Sequence, residues 1–169
     1  MANKHLPEPW LRGTLRETPA ILRAVLHALQ AAEEDLVRWC GALNHEELSA
    51  RPSGLPSVAF HLKHIAGSLD RLLTYAEGHE LSEQQLQALH AESSMAFDVE
   101  TLFRELHAAL QASADRVRRV NFRELEQPRT VGRLVLPTTL GGLLVHIADH
   151  TQRHVGQAIT TARIVVTIK

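Results

Sequence analysis

The chain has 169 residues, of which 44% are hydrophobic and 22% are charged, as is typical of one globular domain and unlike a disordered chain. Its formal net charge of −1 argues against a nucleic-acid-binding protein with a broad basic face. A single cysteine, Cys40, excludes an internal disulfide, and the lack of an apolar signal core or long apolar run predicts a cytoplasmic protein without a membrane span.

The first half of the chain predicts two long helices and a short one. The first begins at Thr18-Pro19, where Thr18 can cap the N-terminus and Pro19 suits the first helical position. Apolar residues then recur at spacings of three and four, which is typical of a buried stripe, until a glycine at position 41 ends the helix. A second long helix starts near Ser57 and ends at Gly78, and a short helix runs from Ser82 to about His90.

The second half predicts two more long helices separated by a crossover. The third long helix runs from about Asp98 to Val120, and the fourth from about Thr138 to Ile164, with a β-branched tail expected to leave the helix. Residues 121–137 lack a helical stripe and offer no strong strand, apart from a short extended candidate at 133–136. We therefore predict an all-α four-helix bundle with long connections between helices two and three and between helices three and four.

Three histidines on the fourth helix, His146, His150 and His154, follow one another at intervals of four residues. Residues four apart lie one turn apart on the same helical face, so two such imidazoles can share a metal ion. A third ligand from another helix would complete a site with an open coordination position. The second helix offers His61 and His64, and a helical wheel places His61 closer to the apolar stripe. Periodicity alone therefore selects His61, His150 and His154.

Two segments carry a family resemblance. They are the run His64-Ile65-Ala66 and the stretch from Asp149 to Gln157, which reads Asp-His-x-x-x-His-x-Gly-Gln. Together they resemble the DinB/YfiT-like superfamily of metal-binding four-helix bundles, over residues 11–165. The resemblance implies a single domain over 1–169, with about 15 N-terminal and about 5 C-terminal residues as extensions. Carried over residue by residue, it implies that the metal ligands are His64, His150 and His154, with His61 and His146 as alternatives.

The resemblance also sets expectations about function. It implies a metal-dependent enzyme whose cofactor is a divalent transition metal, with Zn or Ni foremost. Similar proteins include transferases and isomerases that use low-molecular-weight thiols such as mycothiol or bacillithiol, and a hydrolase acting through a metal-bound water would use the same ligands. The expected partners are a small-molecule substrate and a second copy of the chain. The alternative is a metal-binding or small-molecule-binding stress protein without catalytic turnover.

The other residues of interest are not among the three predicted ligands, and most are predicted to lie beside the site or on the surface. His146 and Asp149 flank the site on the helical wheel and either orient the ligands or face solvent, and for His146 we favour a role as an ordinary surface or packing residue. Arg153 either binds an anionic group or faces solvent. Gly156 is expected to permit a close approach between helices. Cys40 is not expected to act as a nucleophile. The remaining histidines and a cluster of arginines are predicted to lie on the solvated surface: His5, His27, His45, His79, His90, His107, Arg116, Arg118 and Arg119.

Overall fold

A computed structural model describes residues 6–94 and 96–167. The described chain is mostly helical, with one small antiparallel sheet. In chain order its helices and strands are α1 (Ala20–Cys40), α2 (His45–Ser49), α3 (Val58–Ala76), α4 (Glu83–Ala91), α5 (Val99–Arg118), β1 (Pro128–Val131), β2 (Leu136–Thr139) and α6 (Leu140–Thr167). Short 3-10 turns lie at Pro9–Leu11, Pro52–Gly54 and Phe122–Glu124.

The four predicted long helices correspond to α1, α3, α5 and α6. At the start of α3, the Ser57 hydroxyl accepts a hydrogen bond from the Phe60 amide at 3.2 Å, and Asp98 caps α5 by accepting from the Thr101 amide at 2.8 Å. Such caps satisfy backbone donors that a helix leaves unpaired. The start of α1 differs from the prediction, because Pro19 occupies the N-cap position and no side chain caps it.

Each long helix packs its apolar stripe against two of the other three. Helices α1 and α6 run parallel, since Gln152 on α6 donates to the carbonyl of Ala28 at 2.7 Å, while further along both helices Arg163 lies over the ring of Trp39. The interior is formed by leucine, isoleucine, valine and alanine side chains that are almost fully buried, including Leu36, Leu62, Ile65, Leu69, Val117, Leu144, Ile147 and Ala158.

Helix α3 runs antiparallel to α6 and parallel to α5. The hydroxyl of Thr161 donates to the carbonyl of Pro56, just before α3, at 3.4 Å. Nearer the start of α6, the ring of His150 lies against that of His64, which is further along α3. Along α3 and α5, Lys63 lies over the ring of Phe97, and Asp70 pairs with Arg116 further along both helices. The four long helices therefore run up, down, down and up. Because α3 and α5 are consecutive long helices that run parallel, the chain needs the long connection between them that contains α4.

A β-hairpin replaces the loop that we expected at residues 121–137. Strand β1 pairs with β2 from Pro128 opposite Thr139 to Val131 opposite Leu136. The extended segment predicted at 133–136 was wrong in detail, because Arg133 lies in the turn and only Leu136 belongs to a strand. The expectation that the chain leaves the helix after Ile164 was also wrong, since α6 continues to Thr167.

None of the described helices is long and apolar enough to cross a membrane.

Candidate metal centre

Helices α3 and α6 bring His64, His150 and His154 together, with one imidazole nitrogen of each within 4.8 Å of the others. His64 Nε2 lies 3.0 Å from His150 Nε2. The ring of His154 has its centroid 4.4 Å from that of His64 and 4.6 Å from that of His150. The four-residue spacing on α6 places the rings of His150 and His154 on one face, and the antiparallel α3 supplies the third ring. No other such group of histidine, cysteine and carboxylate side chains occurs in residues 6–94 and 96–167.

Two of the three histidines of α6, His150 and His154, are held neutral. Burial, helped by the neighbouring His154, His64 and His146 and by the charge of Arg153, lowers the pKa of His150 to about 4. Burial also lowers the pKa of His154, again with help from His64 and Arg153. Each of these two rings therefore carries a lone pair at neutral pH, which is the form that binds a metal ion.

A buried carboxylate supports the third histidine. Glu92 Oε2 lies 2.7 Å from His64 Nδ1, and Glu92 Oε1 lies 2.7 Å from Arg71 Nη1. Glu92 is only 6% exposed and Arg71 only 8%. The sequence analysis missed both residues. Arg71 lies seven residues, or two helical turns, after His64 on α3, which was a usable signal, whereas Glu92 directly follows α4 in a segment without periodicity.

The two alternative ligands lie at the edge of the cluster. His61 is 2% exposed, and its Nδ1 lies 3.1 Å from Nδ1 of His154. Burial and the neighbouring His154 and His64 lower its pKa to about 4. His146 is exposed, and its ring centroid lies 5.4 Å from that of His150. Neither belongs to the group whose nitrogen atoms converge.

Four other residues of the stretch from Asp149 to Gln157 are exposed: Asp149, Arg153, Gly156 and Gln157. Asp149 and Arg153 form an ion pair with each other, four residues apart and both more than half exposed. The expectation that Gly156 permits a close helix approach was wrong, because a Cβ added there would meet nothing within 4 Å. Gln157 is likewise exposed. Of these residues, only Arg153 contributes to the cluster, through its charge.

Most of the remaining histidines lie on the surface as predicted: His45, His79, His90 and His107. The prediction was wrong for His27, which is 6% exposed and whose Nε2 lies 3.0 Å from the hydroxyl of Thr14. His5 lies outside the described residues. Cys40 is buried, and burial raises the pKa of its thiol to about 12. This thiol therefore remains protonated and is a poor nucleophile.

The fold and the cluster together define a mostly helical protein with three converging imidazoles between two of its long helices. The sequence model of the DinB superfamily matches residues 28–158. The chain belongs to the DinB superfamily. No curated protein and no solved structure matches it significantly.

Proposed function

We propose that this protein is a metal-dependent enzyme of the DinB type, in which His64, His150 and His154 bind one divalent transition metal ion. The observation that carries the proposal is the convergence of three imidazole nitrogens, from α3 and α6, within 4.8 Å of one another. We further propose that α1, α3, α5 and α6 form the four-helix bundle of this family, within a single domain over residues 1–169.

The donor set fits such an ion. Three neutral imidazoles suit Zn, Ni, Cu or Fe, and among these the choice follows coordination geometry and availability more than affinity. We favour Zn or Ni. The two nitrogens at 3.0 Å, His64 Nε2 and His150 Nε2, are near the spacing of about 3.3 Å that two ligands of a tetrahedral zinc ion require. Three protein ligands leave one position for an exogenous group.

The proposed chemistry is thiol transfer or hydrolysis. A divalent ion bound here would lower the pKa of a coordinated thiol or water and hold it ready to attack an electrophile. The chain's own residues present the ion and shape its surroundings. Glu92 holds the ring of His64, Phe60 stacks against that ring at 5.5 Å, and Arg153 supplies positive charge beside His150 and His154.

The proposal also covers the substrate, the cellular location and the oligomeric state. We propose that the protein acts on a small molecule in the cytoplasm and that it forms a homodimer. The formal net charge of −1 supports a small-molecule substrate over a nucleic acid.

The test is elemental analysis of protein purified without a His-tag or chelating resin. We expect about one transition metal ion per chain, and none in the variant His64→Ala/His150→Ala/His154→Ala. The matched control is His79→Ala/His90→Ala/His107→Ala, which also removes three histidines, all exposed, and should retain the metal. Absence of metal from the wild type after reconstitution with Zn or Ni would contradict the proposal. Metal without thiol transfer or hydrolysis would support the non-catalytic alternative.

A further inference from the structure

We infer that Glu92 is a positioning residue of the metal centre, that it acts through His64, and that Gly67 provides the space in which it lies. The inference rests on the proposed metal site and assigns a role to three residues outside its ligand set. The contacts that carry it are the hydrogen bond between Glu92 and His64 and the ion pair between Glu92 and Arg71.

The carboxylate selects the tautomer of His64. A carboxylate oxygen can only accept a hydrogen bond, so at 2.7 Å His64 Nδ1 must carry the proton that is donated to Glu92. In a neutral ring, this leaves the lone pair on Nε2, the atom that faces His150 Nε2 at 3.0 Å. The hydrogen bond therefore fixes both the orientation of the ring and the nitrogen that a metal ion would use.

A buried carboxylate needs a partner for its second oxygen. Arg71 Nη1 lies 2.7 Å from this oxygen and pairs with it by charge, without the geometry of a hydrogen bond, and both side chains are at least nine-tenths buried. Pairing offsets the cost of removing both charges from water. The pair also attaches the end of α4 to the outer face of α3, so the position of the carboxylate does not depend on a mobile surface side chain.

Gly67 leaves the space that this pair occupies. A Cβ at position 67 would lie 2.6 Å from Glu92 Oε1 and 2.7 Å from Arg71 Nη1. Both atoms are at the far ends of long side chains, so an alanine would displace the carboxylate rather than prevent α3 from folding. Glycine is a poor helix former, and its position within α3 coincides with the one place where the ion pair needs this space.

The experiment compares two glycine-to-alanine substitutions. Gly67→Ala removes no polar group and introduces one methyl group against Glu92. Gly156→Ala is the matched control, since it also replaces a helical glycine, two residues from His154, but its Cβ would meet nothing within 4 Å. We expect Gly67→Ala to weaken Zn binding, measured by competition with a chelator, by about 10-fold, as is typical when a group that supports a ligand histidine is disturbed. Gly156→Ala should leave the affinity unchanged.

A second readout needs no metal. Long-range proton–nitrogen NMR of the metal-free protein reports which nitrogen of His64 carries the proton. We expect Nδ1–H in the wild type and in Gly156→Ala. In Glu92→Ala and Gly67→Ala we expect a shift toward Nε2–H, because the carboxylate acceptor is absent or displaced. Glu92→Gln, which keeps an oxygen acceptor, should restore part of the Nδ1–H population.

The two readouts separate this inference from the proposed function. Unchanged Zn affinity and an unchanged His64 tautomer in both Gly67→Ala and Glu92→Ala would overturn the positioning role while leaving the metal site intact. A wild type that binds no Zn but shows the Nδ1–H tautomer, lost in Glu92→Ala, would contradict the proposed function and support the positioning of His64.

Discussion

The Nδ1 atom of His61 lies 3.1 Å from the Nδ1 atom of His154, and only 2% of His61 is exposed. One of these two nitrogens carries a hydrogen and donates a hydrogen bond to the other. If His154 donates, its Nε2 carries the lone pair and is free to bind a metal ion. Two of the three clustered histidines thus have a hydrogen-bond partner outside the cluster. The partner of His154 is the neutral imidazole of His61, and the partner of His64 is the carboxylate of Glu92.

This relationship predicts different outcomes for substitutions at two neighbouring histidines. His61→Leu, which keeps a buried side chain of similar size, should weaken metal binding about 10-fold because His154 loses its partner. His154→Leu should abolish stoichiometric binding because a ligand is lost. Zn affinity by chelator competition and metal content by elemental analysis distinguish the two. Complete loss of the metal from His61→Leu would instead identify His61 as a ligand.

A second prediction concerns the packing of α5 on α3. Arg116 pairs with Asp70 at 2.8 Å and with Glu77 at 2.7 Å, and its side chain is only 17% exposed. The pKa of Arg116 is raised, chiefly by its hydrogen bond to Glu77. Because the guanidinium joins two helices through two carboxylates, we expect Arg116→Ala to lower the free energy of unfolding, measured in urea, by about 1 kcal/mol, the upper end of the range for exposed pairs.

The control for this prediction lies two residues further along α5. Arg118 pairs only with Asp115 on the same helix, and both side chains are more than half exposed. Arg118→Ala should therefore change the free energy of unfolding by less than about 0.5 kcal/mol. High salt should reduce the difference in free energy of unfolding between the two variants, since it screens charges at the surface. Equal destabilisation by both substitutions would show that Arg116 does not join the helices energetically.

Periodicity in the sequence predicted the four long helices and the ring cluster on α6, because both follow from regular spacing along one helix. It could not predict which histidine of α3 joins the converging group, since both His61 and His64 contact histidines of α6 and only His64 belongs to that group. His61 lies nearer the apolar stripe, yet His64 reaches the cluster, because the site lies toward the outer edge of the α3–α6 contact and not in the core. The family resemblance, and not the helical wheel, selected His64.

The hairpin and Glu92 were missed for a different reason, since both depend on contacts between distant segments. Pro128 and Pro137 lie within strands of four residues each, and proline is normally a signal against a strand. Glu92 has no periodic partner near it in sequence, and its role arises only when α4 packs beside α3. His27 was assigned to the surface because it lies off the apolar stripe of α1, and its contact with Thr14, from the segment before that helix, was not visible in the spacing.

The lowered pKa values of four histidines, His27, His61, His150 and His154, make the stability of the metal-free protein depend on pH. Burial lowers the pKa of His61 and that of His150 to about 4, whereas in the unfolded chain both have the ordinary value near 6.5. Between these values the unfolded chain binds more protons than the folded protein does, so stability rises with pH. The full contribution is present above about pH 6.5 and is lost as the pH falls toward 4.

We therefore expect the free energy of unfolding, measured in urea with a chelator present, to decrease between pH 7 and pH 4.5. Each unit of pKa difference is worth about 1.4 kcal/mol, so His61 alone accounts for at most roughly 3 kcal/mol. His61→Leu removes one of the four groups, and one of the two with the largest shift in pKa, and should show a shallower pH dependence. His79→Leu, at an exposed site, should behave like the wild type. Identical pH profiles for His61→Leu and the wild type would mean that His61 is not held neutral by the fold.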